Sequence, residues 1–582
     1  MPLVVLGLSG ALTHDPSAAI YVEGELVAAA EEERFTRQKH AKNAMPLHAA
    51  RYVLKEAGLK PKDVDVVAFP FAKVGLFDSK ARWHYAKRYW YAPERSLGAI
   101  FNGNRHYRRN VKKVRGLLDE LGIEWNDVEY DAVEHHLAHA SSAYHLSGFD
   151  ENEKVAILGI DGKGEYATTF FGYGQHGQIH KIKEFYDPDS LGQLYASFTE
   201  YLGFEMLDGE YKVMGMAPYG DASLYDLSRL IEFDGKEIAV NTQLVNTIGL
   251  RRYKEERKGY YFSQKLVDWL GPKRQGDIAD DPYIHYAASI QKMYEDISLQ
   301  LIETYLKDVL LESGKLVFAG GGALNVKLNQ KILDLPYVKE LFVQPAAADS
   351  GTALGAASYA SWKRGVAPAP LEHVYLGPKY STEQCIEACE DHPEKPVFKR
   401  YDDIVEKTAA LLHEGNPVAW CQGRMEFGPR ALGGRSILGN PSHPGIADKI
   451  NEQIKFRERW RPFCPSILDT VAPDMIKTDH PAPYMTITFE VAESWKGRVP
   501  EVVHEDGTAR VQIVNEKTNP RYYALLQQME ALNGNGVVLN TSMNRRGEPM
   551  VCSPADALNM FFGSDLEYLV LEDLLVTKRT AA

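Results

Sequence analysis

The feature that most constrains this chain is an order of elements that occurs twice. Residues 3–9 (LVVLGLS) form a short apolar run that ends in a polar loop, and Ala18–Val22 and Leu26–Ala30 follow across Glu23-Gly24. That pattern predicts a strand, a loop and a hairpin. The order returns at Val155–Ile160 (VAILGI), which runs into Asp161-Gly162 and then into ATTFFGYG and QIHKIKEF. A repeated strand-loop-hairpin predicts two similar α/β subdomains with a cleft between them. Ligands of open α/β sheets bind in such a crevice, at the carboxyl ends of strands. The length of 582 residues leaves room for several cores.

Proline and glycine mark a second boundary. RGVAPAPLEHVYLGPKY follows the helical AASYASWKR. The chain is therefore expected to divide into a first domain over 1–364, a linker over 365–380 and a second domain over 381–582. The second domain opens on a helix near Thr382–Glu390 and a strand at Pro417–Cys421. An insertion at about 74–126 interrupts the first domain. Its middle, 80–115, holds eleven Lys or Arg against one acid, Glu94, interleaved with Trp83, Tyr85, Tyr89, Trp90, Tyr91 and Tyr107. It reads as a surface for an anionic ligand, an acceptor or RNA, or as a solvated helical lid with its aromatics packed beneath, which is preferred. The net charge of −13 argues against a general nucleic-acid binder. The five cysteines show no CxxC spacing, as expected of reduced thiols in a cytosolic protein. Neither a signal peptide nor a membrane-spanning run is visible, so a cytoplasmic protein away from membranes is expected.

Several stretches carry candidate chemistry. In EHHLAHASSAYH (134–145), His135 and His139 are four apart and share one helix face, where they can offer two ring nitrogens to one metal. The Glu of HExxH is missing, which disfavours a metallopeptidase. Asp161, in LGIDGKG, ends a buried-type strand, and Asp349, in QPAAADSGTALGAA, precedes a small-residue helix. Both suit a divalent cation, although a turn residue and an N-cap are the plainer readings. Two histidines with carboxylates fit iron, manganese or zinc. FAGGGALNVKLN (318–329), with Gly321 and Asn325, places a glycine loop between the strand Lys315–Phe318 and a helix start. Such a loop either cradles phosphate or makes a tight turn; it is not a P-loop. Arg430, Arg435, Lys455, Arg457, Arg459 and Arg461 follow in glycine-rich company, then Arg510 in a strand pattern, then Asn540, Ser542 and Asn544. These suit phosphate groups; a salt-bridge network with Glu426, Glu452 and Glu458 is the alternative. His14, in the loop after the first strand and beside Asp15, is a candidate general base, or else a loop histidine capping a turn.

The two halves, with HxxxH, DGKGE, GGGALN and AADSG, resemble the actin/Hsp70/sugar-kinase superfamily, in particular its metal-dependent branch that includes the threonylcarbamoyl transferases of tRNA modification. EEERFTRQKH (31–40) and YKVMGMAPYG (211–220) narrow the resemblance to the NodU/CmcH carbamoyltransferases, including nebramycin synthetase-type O-carbamoyltransferases. The resemblance implies an α/β fold: an actin/Hsp70-like duplicated domain followed by a YrdC-like domain. It implies that the YrdC-like half makes carbamoyl-adenylate from carbamoyl phosphate and ATP, with magnesium. The carbamoyl group then passes to a hydroxyl of a small-molecule or glycoside acceptor, as in antibiotic biosynthesis. It assigns the catalytic role to His14, and the metal, iron first with manganese or zinc as options, to His135, His139, Asp161 and Asp349. Contacts to the carbamoyl-adenylate fall to Lys39, Asp161, Gly321, Asn325, Arg430, Lys455, Arg461, Arg510, Asn540 and Ser542. A homodimer is allowed for. A tRNA threonylcarbamoyl-type transferase is favoured by the basic insertion and opposed by the added C-terminal domain and the low pI. A hydrogenase-maturation carbamoyl transferase lacks support, because no paired CxxC is present. A non-catalytic nucleotide-binding switch would bind ATP without consuming carbamoyl phosphate.

Overall fold

The computed structural model describes residues 2–75, 80–102, 104–245, 261–276, 280–455, 458 and 460–578. They fall into two compact units: 1–27 with 42–371, and 28–41 with 372–582. The division at Leu371 lies within the proline-rich stretch expected as a linker.

The first unit holds two five-stranded sheets of one topology. In the first, β1 (Val4–Leu8), β2 (Ser17–Val22), β3 (Glu25–Glu31), β4 (Val66–Phe69) and β5 (Glu129–Ala132) lie in the order β3-β2-β1-β4-β5. The end of β3 runs on into the segment 28–41, which groups with the second unit. In the second sheet, β6 (Val155–Ile160), β7 (Ala167–Gln175), β8 (Gln178–Tyr186), β9 (Lys315–Ala319) and β10 (Glu340–Val343) lie in the order β10-β9-β6-β7-β8. In each, the opening strand is central. It pairs antiparallel with the next strand and parallel with the fourth. The duplication expected from the sequence is therefore matched strand for strand. β1, β4 and β6 are buried along their whole length, which is why they read as unbroken apolar runs rather than alternating ones.

The helices that position the site are α1 (Lys80–Arg88), α2 (Pro93–Asn102), α3 (Arg105–Leu121), α4 (His135–Tyr144), α5 (Tyr283–Tyr305), α6 (Val326–Leu333) and α7 (Gly351–Lys363). α4 follows β5 and α7 follows β10, so they are equivalent in the two halves. They pack on each other through small residues, and Ser141 Oγ and Ser358 Oγ lie 2.8 Å apart across the contact. Gly355 makes the approach feasible, since a Cβ there would lie 1.8 Å from the Ala138 carbonyl oxygen. Gly7 of β1 admits α7 in the same way, with a built Cβ 2.1 Å from Ala353 O.

The insertion is helical, as α1 to α3. Its aromatics divide. Tyr85 and Tyr89 pack with Ala92, Ala99 and Tyr166 of the DGKGEY loop, whereas Trp83 and Trp90 are 53% and 78% exposed. The preferred lid reading covers the tyrosines and leaves the tryptophans to be explained.

The second unit is built on an eight-stranded mixed sheet. Its strands are β11 (Val397–Arg400), β12 (Val418–Cys421), β13 (Arg435–Gly439), β14 (Cys464–Leu468), β15 (Gln512–Val514), β16 (Val537–Ser542), β17 (Tyr568–Leu571) and β18 (Leu574–Thr577). They lie in the order β11-β18-β17-β12-β13-β16-β14-β15. The expected helix forms at Thr382–Asp391, with Ser381 and Gln384 as a capping box. Arg510 sits between the short strand Thr508–Ala509 and β15, not inside a strand. All five cysteines are buried and unbridged. Among the described residues, no helix is long and apolar enough to cross a membrane.

Candidate active site

Each half of the first unit brings one loop and one helix start to the same place. The first half supplies His14, in the β1–β2 loop, and His135 and His139, on α4. The second supplies Asp161, at the end of β6, and Asp349, just before α7. Ligand atoms of His135, His139, Asp161 and Asp349 all lie within 4.8 Å of one another, and all four residues are buried. His135 Nε2 is 3.1 Å from His139 Nε2, 3.4 Å from Asp161 Oδ2 and 3.6 Å from Asp349 Oδ1. His139 Nε2 is 3.9 Å from Asp349 Oδ1. Two imidazole nitrogens turned toward each other, with carboxylate oxygens on the open sides, form a fitting donor set for a divalent cation. The helical spacing and the position of Asp349 ahead of a helix N-terminus thus place these residues as expected from the sequence.

The electrostatics of the cluster divide its two imidazoles. Burial alone would lower His135, but the hydrogen bond to Asp161 and the charge of Asp349 outweigh it and raise it to about 10. His139 is held well below the ordinary histidine value by burial and by His135. Asp161 stays well below the carboxylate range despite burial, because His135 and His139 face it. Asp349 is raised by burial, against the pull of His14 and His135. Behind the cluster, Glu165 accepts from the N–H groups of His135 (3.2 Å) and Ala72 (2.6 Å). Burial pushes its carboxyl up to about 7.

His14 lies at the edge of the cluster, its side chain 27% exposed, with Nδ1 2.8 Å from Asp15 Oδ2 and Nε2 3.9 Å from Asp349 Oδ2. Burial lowers its pKa, yet Asp349 and Asp15 together raise it to about 9. Its loop is strained: Ala11 and Asp15 adopt φ of 71° and 52°. It is also tied down. Ala11 N–H donates to Ala44 O and Asn43 N–H to Thr13 O, both at 2.9 Å. Lys113 of α3 donates to Asn43 O at 2.6 Å and to Ala11 O. The glycine loop reaches the cluster through Gly321, whose N–H donates to Asp161 Oδ1 at 3.0 Å. Asn325 caps α6 by accepting from Leu328 N–H, and its amide pairs with Gln291 of α5.

In the second unit, β16 gathers part of the expected phosphate site. Lys455 is buried, and its ammonium donates to Ser542 O and to Asn544 Oδ1 (2.8 Å). Asn540, two residues back on the same face, donates to Ala431 O, beside Arg430, at 3.2 Å. Its cross-strand neighbour is Cys464, and Arg510 Nε lies 3.1 Å from Cys464 Sγ. Arg430, Lys455, Arg510, Asn540 and Ser542 are thus drawn to one end of β16. Arg461 pairs at 3.7 Å with Glu458, as the salt-bridge alternative proposes. Lys39 lies in the segment 28–41, which Arg34 and Arg37 pin to Gly428 O and Met550 O. Arg435 needs correction: it is 1% exposed. Its guanidinium is taken up by the carbonyls of Cys552, Gln422, Gly423, Gly434 and Pro378, so it braces loops and is closed to phosphate. Arg457 and Arg459 lie outside the described residues. Lys113 and Gln291 are not legible in the sequence, because the site residues they hold, Ala11 and Asn43 for the first and Asn325 for the second, lie at least 34 residues away.

Family comparison matches the carbamoyltransferase N-terminus over residues 4–358 and the carbamoyltransferase C-terminus over 409–578. An uncharacterized protein of Synechocystis sp. is 37% identical, over 99% of this chain and 96% of its own length. Nodulation protein NolNO of Sinorhizobium fredii is 34% identical, over 100% and 83%. Nodulation protein NolO of Bradyrhizobium diazoefficiens is 36% identical, over 77% and 80%. A ROK hexokinase from Thermus thermophilus aligns with 61% of this chain and 97% of its own at 15% identity. Its TM-score of 0.27 is too slight to bear on the fold. Matched in both halves and along nearly its whole length by such relatives, the chain belongs to the carbamoyltransferase family of the nodulation proteins and is a carbamoyltransferase.

Proposed function

We propose that this enzyme is an ATP-dependent O-carbamoyltransferase that works through carbamoyl-adenylate. On this reading the duplicated unit is actin- and sugar-kinase-like, and the second unit is YrdC-like. Water takes the phosphoryl group from carbamoyl phosphate and leaves carbamate. A carbamate oxygen attacks the α-phosphorus of ATP, and pyrophosphate departs. Arg430 and Arg510, together with Lys455 once its ammonium exchanges the Ser542 and Asn544 oxygens for phosphate, offset the phosphate charge that would repel this attack. In the first unit an acceptor hydroxyl attacks the carbamoyl carbon, the bond from that carbon to the phosphate oxygen breaks, and AMP leaves.

His14 takes the hydroxyl proton. Asp15 accepts at Nδ1 and so keeps that nitrogen protonated; a cation held by Asp349 would offset the carboxylate charge that raises this ring and would leave Nε2 as the basic atom. Asp15 also fixes the ring against rotation, and Lys113 holds the loop that carries it. When bound by His135, His139, Asp161 and Asp349, a divalent cation (iron, with manganese and zinc also suited) would supply Lewis acidity to the carbamoyl carbonyl.

The observation that carries this reading is His14 standing 3.9 Å from a carboxylate of the buried His/Asp cluster, in a chain of the carbamoyltransferase family. The test is incubation with ATP, carbamoyl phosphate and a panel of hydroxylated acceptors, with mass spectrometry for a hydrogen replaced by a carbamoyl group. The wild type gives a carbamoylated product and His14→Asn gives none. A His14→Asn variant that transfers as well as the wild type would remove the proposed base.

A further inference from the structure

The two faces of α1 are not equivalent. Arg82 and Tyr85 of α1, and Tyr89 just after it, turn inward. Lys80, Trp83, His84 and Lys87, spaced at i, i+3, i+4 and i+7 on one helix face, turn the other way and line a pocket of about 500 Å³ with β8. That volume is in the range of small-ligand sites. Phe185 and Tyr186 form part of the opposite wall, and Asp189 is at the floor.

The acids of the pocket are already engaged. Asp189 holds His84 Nε2 at 2.7 Å, Arg88 at 3.0 Å and Val240 N–H at 2.8 Å. Glu237 pairs with Lys183. Glu184 pairs with Lys181 at 2.8 Å. Lys80 and Lys87 have no acid partner among the described residues, and Trp83 lies between them with its indole 53% exposed. Two exposed ammonium groups flanking an open aromatic face suit an anion carried on a ring that can stack.

The floor of the pocket is also the backing of the catalytic loop. Ser190, next to Asp189, donates to Asp161 O at 3.2 Å and to Gly162 O at 2.8 Å. One residue and one hydrogen bond therefore separate the floor from the Asp161 loop, a span on the order of 10 Å. Tyr85, on the inward face of α1, and Tyr89, just after the helix, pack in one cluster with Tyr166 of that loop.

We propose that this pocket is the subsite for the non-reacting part of the acceptor, and that the acceptor is a hydroxylated ring, such as a sugar, that carries a negative group. Trp83 stacks on the ring, Lys80 and Lys87 pair with a phosphate or carboxylate, and the reacting hydroxyl extends toward His14. The inference rests on the carbamoyl-transfer reading for the word acceptor, and on the pocket alone for the ligand chemistry. A polycationic aminoglycoside is the wrong charge for it.

The test is calorimetry on the full chain with glucose, glucose 6-phosphate, glucuronate and inorganic phosphate. Either anionic sugar binds more than about tenfold more tightly than glucose or phosphate, and Trp83→Ala and Lys80→Glu/Lys87→Glu each remove that preference. Trp90→Ala, on the same insertion but away from the pocket, leaves it unchanged. Binding by neither anionic sugar, binding of phosphate alone as tightly, or indifference to Trp83→Ala overturns the site. The acceptor role is then read with labelled carbamoyl phosphate: label enters the bound sugar in the wild type and falls in Trp83→Ala at subsaturating sugar. Pyrophosphate release with no label in the bound sugar overturns that role. Failure of the transfer reading itself would look different, as sugar binding intact without pyrophosphate release.

Discussion

The imidazole of His135 makes the clearest residue-scale prediction. Between Asp161 and Asp349 it is raised to about 10, so in the metal-free protein at neutral pH it carries a proton. A ligating imidazole must be neutral, and the cation has to displace that proton. Affinity for zinc or manganese therefore rises with pH between about 6 and 9, by up to about tenfold per unit for one proton released. Calorimetry in two buffers of different ionisation enthalpy reads the release; an affinity flat across this range would show that His135 is not a ligand. The HxxxH pair is legible because both histidines lie on one helix, where spacing alone decides the face. Arg435 was not legible as a brace. In the sequence it is one more arginine among glycines, and its acceptors lie up to 117 residues away. Replacing it by Met leaves five carbonyls without their cation. Arg435→Met is expected to destabilise the protein by about 3–5 kcal/mol in denaturant unfolding, whereas a phosphate-binding arginine would cost activity and little stability.

Among elements, the contact between α4 and α7 sets the site, because it brings the starts of two equivalent helices together. Its closeness depends on Gly355, where a built Cβ meets Ala138 O at 1.8 Å. Gly355→Ala must push the helices apart. We expect a loss of about 1–3 kcal/mol in stability and a weaker metal site, read by thermal unfolding with and without metal. An unchanged Tm and unchanged metal affinity would mean that the helix contact does not hold the cluster. Strands of the duplicated unit were readable because burial on both faces leaves an apolar run with sharp ends. The strand around Arg510 was not, since Thr508–Ala509 and β15 are too short to carry a pattern through it. The insertion is helical, as its basic, aromatic-interleaved sequence leads one to expect. Which of its aromatics face outward depends on where α1 meets Tyr166, a residue more than 70 positions further on.

For the whole molecule, the duplication and the break near Leu371 could be seen in the sequence, because repetition and proline-rich punctuation are local signals. The grouping of 28–41 with the second unit could not: it depends on Arg34 and Glu31 meeting Gly428, a separation of 394 residues or more. The central claim at this scale is that activation and transfer use separate machinery, Lys455 and its neighbours for the first and His14 for the second. The most direct measurement is pyrophosphate release from ATP, dependent on carbamoyl phosphate, in wild type, His14→Asn and Lys455→Met, each checked for folding by circular dichroism. The account predicts release near the wild-type rate in His14→Asn and none in Lys455→Met. Loss of release in a folded His14→Asn variant, or its persistence in Lys455→Met, would contradict it.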